Sequence, residues 1–153
     1  MKSTFYHRIP IGIARLSADG GKISEIALVS KHGKSAKEAP PVLKKCACQL
    51  DEFFKGKRKG FSLPLALAGT SFQKRVWREL LKIPYGKTIS YFQVAKTMGK
   101  AKSVRAVANA VGANPACVVV PCHRVIGSDG SLTGYAYGLA KKSALLQLEG
   151  VVV

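Results

Sequence analysis

Apolar and polar side chains alternate through residues 5–17 and again through residues 23–30, the period-two pattern of half-buried strands. Between them Ala18-Asp19-Gly20-Gly21 predicts a hairpin turn, because glycine accepts the positive φ that tight hairpins require. The period then lengthens. Val42, Cys46, Leu50, Phe53 and Phe54 recur at helical spacing, and Gly56 closes that helix. Residues 55–59 form a basic turn, and residues 61–67 read as a last strand. Ala68-Gly69-Thr70 serves as a linker, which divides the chain into an N-terminal lobe (1–68) and a C-terminal domain (69–153).

Beyond the linker the pattern is mostly helical. Phe72, Val76 and Leu80, with Trp77 and Leu81 one face over, define an amphipathic helix from Ser71 that Ile83-Pro84-Tyr85-Gly86 breaks. Ser90 is placed to cap a helix carrying Val94, Ala95 and Met98 and ending at Gly99. Ser103 is placed to cap another, with Val104, Val107, Ala108 and Val111 on its apolar face and Gly112 and Asn114-Pro115 ending it. Two short helices across a tight glycine turn form either a helix-turn-helix or an ordinary helical hairpin. Ala106, Ala108 and Ala110, with basic Lys100, Lys102 and Arg105, favour close approach to DNA. Val118, Val119 and Val120 read as a buried strand that Pro121, having no N–H, stops. A last helix covers residues 139–149 with Leu145, Leu146 and Leu148 inside, and Glu149 falls at the end where the helix dipole disfavours a carboxylate. That position requires solvent or a partner.

Composition narrows the class. The chain has 153 residues, 47% hydrophobic and 22% charged, a globular balance. No run approaches the roughly 20 apolar residues of a membrane span, and the N-terminal residues lack a signal-peptide core. A soluble cytoplasmic protein is expected, nucleoid-associated in a prokaryote, with no membrane partner. The net charge of +17 points to a polyanion such as nucleic acid. It is divided as +8 over residues 1–68 and +9 over residues 69–153, so charge alone selects no face. Four cysteines occur without paired zinc spacing, and no metal site is expected. Cys46 and Cys48 fall on different faces of a helix, and Cys117 suits a core position.

Cys122 differs, because a thiol, an imidazole and a guanidinium (Cys122, His123, Arg124) follow directly on a proline at the end of an apolar run. Cysteine attacks as the thiolate, which a neighbouring base or cation favours. In extended backbone Cys122 and His123 would point to opposite faces, so contact between them requires a turn or a bridging water. Glu149 could orient His123 from its far side. Residues 127–138 are glycine-rich, suited to close approach to a ligand or to forming a lid.

Four blocks carry a family resemblance: FQKRVWRELLKIPYGKTISY, RAVANAVGANP, VPCHRVIG and GYAYGLAKKSALLQLEG, between Phe72 and Gly150. In order and spacing the chain resembles the O6-alkylguanine-DNA alkyltransferases over somewhat more than half its length. The resemblance implies an α+β protein, with a small ribonuclease-H-like lobe of antiparallel sheet plus helix before a mostly helical domain with a helix-turn-helix. It implies that Cys122 accepts an alkyl group from O6-alkylguanine, and possible substrates include O4-methylthymine. His123 and Glu149 would complete a water-linked relay to the thiol. Asn114 would tie the recognition helix to the active-site loop, and Tyr91 would protonate the leaving guanine. Arg105 would fill the space left by the extruded base, with Tyr91, Lys100, Ser128 and Gln73 also meeting DNA. Val125, Tyr135, Ala136 and Tyr137 would line the guanine pocket. The partner would be double-stranded DNA carrying alkylated guanine, bound by a monomer without cofactor. Members often have glycine where this chain has Tyr137, whose ring is expected to narrow the pocket against benzyl groups. Two other readings are a lesion-binding or regulatory helix-turn-helix protein that transfers nothing, and a small cysteine hydrolase. The first would not need Cys122, His123 and Glu149 together, and the second would gain nothing from the positive charge.

Overall fold

The computed structural model describes residues 2–153, which divide into two compact units at Ala68 and Gly69. In the first unit β1 (Lys2–Ile9), β2 (Gly12–Asp19) and β3 (Lys22–Val29) form an antiparallel meander in the order β1-β2-β3. The Gly20-Gly21 hairpin is present, with Asp19 opposite Lys22. The single strand expected over residues 5–17 is in fact two. Ile9 pairs with Gly12 across a two-residue turn at Pro10-Ile11, and Gly12 takes φ 141°. Pro10, which cannot donate to a ladder, marks the break.

Helix α1 (Pro41–Phe54) packs on this sheet. Its Leu43, Cys46, Leu50 and Phe53 are fully buried, as are Ala14, Leu16, Ile23 and Ile26 of the strands. Each large side chain contributes roughly 2 kcal/mol of burial. Residues 61–67 do alternate between half-buried and exposed, but they form no strand. One parallel bridge joins Leu65 to Ile23, with Ile23 N–H donating to Pro64 O (2.8 Å) and Ala66 N–H to Ile23 O (2.8 Å). Pro64 interrupts any longer ladder. Buried Gln49 supplies the missing stitches, donating to Ser62 Oγ (3.1 Å) and accepting from Ser62 N–H (3.0 Å).

The second unit contains α2 (Ser71–Leu80), β4 (Ile89–Ser90), α3 (Tyr91–Thr97), α4 (Val104–Gly112), β5 (Val125–Ile126) and α5 (Leu139–Leu148). Thr70 and Gln73 form a reciprocal capping box at the start of α2. Val76, Trp77 and Leu80 are buried, and the Trp77 indole N–H donates to Ala110 O of α4 (2.9 Å). Ser90 Oγ accepts from Gln93 N–H (3.0 Å) and caps α3. Gly99, at φ 71°, turns the chain into a 3-10 turn (Ala101–Ser103) that leads to α4. Ser103 occupies the N-cap position of α4 but makes no side-chain cap bond. Helices α3 and α4 pack on each other as the expected helix-turn-helix.

Val118, Val119 and Val120 are buried, yet they form no strand. They lie in successive tight turns, and Val118 has φ 71°. A β-branched residue in that region stores about 1–3 kcal/mol of strain. Asn114 holds the turn at both ends: its Nδ2 donates to Val120 O (2.8 Å) and its Oδ1 accepts from Ala116 N–H (2.9 Å). A run of valines is ambiguous by pattern alone, and here an asparagine side chain replaces the strand partner.

Candidate active site

Two short elements fix the positions of the reactive groups. Strands β4 and β5 pair in parallel, Ile89 with Val125 and Ser90 with Ile126. Tyr91 follows β4 directly, and a 3-10 turn of Cys122, His123 and Arg124 precedes β5 directly. The turn removes the objection raised by extended backbone, because its side chains no longer alternate between two faces. All three are buried: Cys122 is 7% exposed, His123 0% and Arg124 6%.

Glu149, just past the end of α5, is the partner its sequence position demanded. Its side chain is wholly buried. It accepts from His123 Nε2 (2.7 Å), Arg124 Nε (2.9 Å) and Nη2 (2.9 Å), and Gly86 N–H (2.9 Å). Arg124 Nη1 also donates to Ile83 O (2.7 Å). Burial alone pushes the Glu149 carboxyl up, but the bonds from His123 and Arg124 outweigh it and hold the group at about 2. Burial depresses His123, against the raising effect of Glu149. The pair is therefore a carboxylate and a neutral imidazole. Because the carboxylate only accepts, the imidazole hydrogen sits on Nε2, and Nδ1 carries the lone pair. Nδ1 is buried and has no hydrogen-bond partner among the described residues, which makes it the free basic atom of the site.

Cys122 is held as a thiol at rest, since burial raises it against the opposing effects of Asn114 and the Lys142 charge. The hollow beside it is about 10 Å³, room for about one water. Val111, Asn114, Tyr135, Ala136 and Tyr137 contribute to its walls. Tyr135 and Tyr137 meet edge to face at 5.8 Å, and the buried Tyr135 hydroxyl has no hydrogen-bond partner among the described residues. A wider pocket of about 680 Å³ is lined by Tyr91, Arg105 and Asn109, with Thr133, Gly134 and Tyr135 opposite. Tyr91 Oη donates to Thr133 O (2.9 Å) and lies 3.1 Å from Gly134 O.

The remaining expected DNA contacts are less concentrated. Arg105 is exposed on α4 at the wide pocket. Lys100 and Ser128 are exposed, and neither lines either hollow. Gln73 is committed to the capping box, its Oε1 accepting from Thr70 N–H (2.9 Å). Val125 is buried behind the pocket, its carbonyl accepting from Lys142. Three participants went unread in the sequence: the carboxylate contact of Arg124, Asn109 in the pocket wall, and Lys142, which is completely buried. Lys142, Leu145, Leu146 and Glu149 follow the i, i+3, i+4, i+7 stripe, so helical periodicity alone places Lys142 inside.

An arrangement of this kind suits a protein that moves a group onto its own sulfur from a donor held by a helix-turn-helix frame. Comparison with known proteins agrees. Residues 71–151 match the family model for the 6-O-methylguanine DNA methyltransferase DNA binding domain, and residues 10–67 match that for its ribonuclease-like domain. A methylated-DNA--protein-cysteine methyltransferase of Methanosarcina barkeri is 52% identical over 106 residues, covering 69% of this chain and 67% of that one. A protein of the same name from Methanosarcina acetivorans is 43% identical over 148 residues, covering 92% and 94%. The crystal structure of Mycobacterium tuberculosis OGT in complex with DNA superposes with a TM-score of 0.85 at 38% identity, covering 97% of this chain and 92% of that one. The chain belongs to the 6-O-methylguanine DNA methyltransferase family.

Proposed function

We propose that this protein repairs alkylated DNA by transferring the alkyl group from O6 of guanine to Cys122, once per molecule. The observation that carries this reading is the ordered chain Arg124–Glu149–His123, which ends on a free basic nitrogen beside a buried thiol. A water between His123 Nδ1 and Cys122 Sγ would take the thiol proton to the imidazole, and Glu149 would stabilise the imidazolium formed. The thiolate then displaces the alkyl carbon from oxygen. Charge that develops on the departing guanine is quenched by the Tyr91 hydroxyl, which burial and the Cys122 charge keep protonated until that moment. The product thioether resists hydrolysis, so the protein is consumed.

The target atom lies inside the duplex, and reaching it costs a few kcal/mol of unstacking. Arg105, at the lip of the wide pocket, is placed to enter the space left by the base. The apolar surface of α4 offers little for reading base edges, as suits a protein that must act in any sequence context. Mass spectrometry tests the assignment. After reaction with DNA containing O6-methylguanine, the peptide carrying Cys122 should gain one methyl, and Cys122→Ser should take up none while still binding DNA. Stoichiometric methylation of Cys46, Cys48 or Cys117 would overturn it. DNA binding with no mass gain would favour the lesion-binding alternative.

A further inference from the structure

Lys142 is the most unusual charged residue in the second unit. It projects from α5 with no solvent exposure and no carboxylate partner among the described contacts. Its Nζ donates to Val125 O (2.5 Å), Thr133 O (2.8 Å) and Gly134 O (3.3 Å), and it lies 3.5 Å from Tyr91 Oη. It also sits 5.6 Å from the centroid of the Tyr91 ring. An isolated buried cation is costly, and three backbone carbonyls offset that cost only in part. A neutral side chain of the same shape would pack there more cheaply.

The geometry fixes the direction of the Tyr91 proton. An ammonium has donors and no acceptor. It is therefore a lone pair of Tyr91 Oη that faces Lys142, and the hydroxyl hydrogen points the other way, toward Thr133 O and Gly134 O on the pocket wall. We infer that Lys142 is a positioning residue for the proton-donation step: it aims the Tyr91 hydroxyl into the pocket and compensates the phenolate that forms when the proton leaves.

The step balances as follows. The Cys122 thiolate forms the S–C bond while the C–O bond breaks, its electron pair going to the guanine. The Tyr91 proton passes to that guanine and leaves a phenolate against the Lys142 ammonium. The ammonium then returns a proton to the phenolate, and the neutral amine is reprotonated from water. Burial, opposed by the Cys122 charge, lowers Lys142 to about 8, below an ordinary tyrosine, so the return runs downhill. The ionisable groups facing the amine are Tyr91, Cys122 and His123.

The inference rests on the reading of Tyr91 as proton donor, and a double-mutant cycle separates the two. Single-turnover methyl transfer from O6-methylguanine duplex would be measured for Lys142→Met, Lys142→Gln, Tyr91→Phe and the Tyr91→Phe/Lys142→Met pair. Alkylation of Cys122 by iodoacetamide, whose leaving group requires no proton, serves as control. Lys142→Met should slow methyl transfer at least about tenfold more than it slows the iodoacetamide reaction, and it should cost little further in the Tyr91→Phe background. Lys142→Gln keeps a donor without the charge, so it should fold even if the methionine variant does not, and it should show the same selective loss. Equal losses in both reactions would overturn the inference by assigning Lys142 to the thiol alone. An undiminished loss in the Tyr91→Phe background would overturn it by cutting the link to Tyr91. Full activity of Tyr91→Phe by itself would overturn the proton-donor reading beneath it.

Discussion

Replacing Glu149 by glutamine removes one charge and almost no volume, yet it should be among the most damaging changes in the second unit. The carboxylate is wholly buried and accepts from His123, Arg124 and Gly86. Arg124 cannot shed its proton, so the variant strands a guanidinium that is 6% exposed with Ile83 O as its remaining acceptor. Two routes give the magnitude. Breaking a buried ion pair from one side costs about 3–5 kcal/mol. A carboxyl held at about 2 instead of its ordinary 4.5 contributes about 3 kcal/mol at neutral pH. Because the folded value is depressed, that stability is fully present above pH 4.5 and is lost as pH falls toward 2. The wild type should thus weaken over this range more than Glu149→Gln, and the two curves should converge in acid. Trp77 is the chain's one tryptophan, buried in the second unit, so its fluorescence during urea unfolding reports on this unit specifically. The variant should unfold about 3–5 kcal/mol more easily at pH 7, with methyl transfer reduced at least about tenfold as His123 loses its fixed tautomer. A loss below about 1 kcal/mol, the worth of an exposed ion pair, would refute the reasoning, as would parallel pH curves.

Tyr137→Gly should speed reaction with free benzylguanine while changing methyl transfer little, because Tyr137 walls the hollow beside Cys122; unchanged benzyl reactivity would show that the ring does not limit the site. Arg105→Ala should slow transfer from duplex DNA more than from a single strand or the free base, and equal losses on all three would remove its wedge role. Affinity for duplex should fall steeply with added salt in fluorescence-anisotropy titrations, since phosphate contacts dominate binding of this kind.

Local signals carried much of the architecture. Apolar spacing, with Ser90 and Gly99 as punctuation, marked α3, and the glycine pair at 20 and 21 marked one hairpin. The errors arose where a distant side chain decided the outcome. Nothing near Val118 announces that Asn114 will hold it in a turn at φ 71°. Pro10 and Pro64 were overlooked as interruptions of alternating runs, although each lacks the donor that a ladder requires. The site was legible at Cys122, His123 and Glu149 because their residue types are chemically conspicuous. Lys142 was not, because a lysine in a basic chain draws no notice until its helical phase is counted. The ion pair of Arg124 was hidden for a related reason, its carboxylate lying 25 residues away.

That separation along the chain also governs when the cysteine becomes reactive. Arg124 reaches back 41 residues to Ile83, Glu149 reaches 63 to Gly86 and 26 to His123, and each contact closes a long loop of chain. No local fragment can assemble them. A nascent or half-folded molecule therefore carries at Cys122 only an ordinary thiol, with no oriented base behind it. Reactivity arrives in one step with the completed second unit and departs with it on unfolding. For a molecule that can act only once, assembly itself works as the safety catch, sparing the sulfur from stray electrophiles until the surface that finds damaged DNA exists beside it.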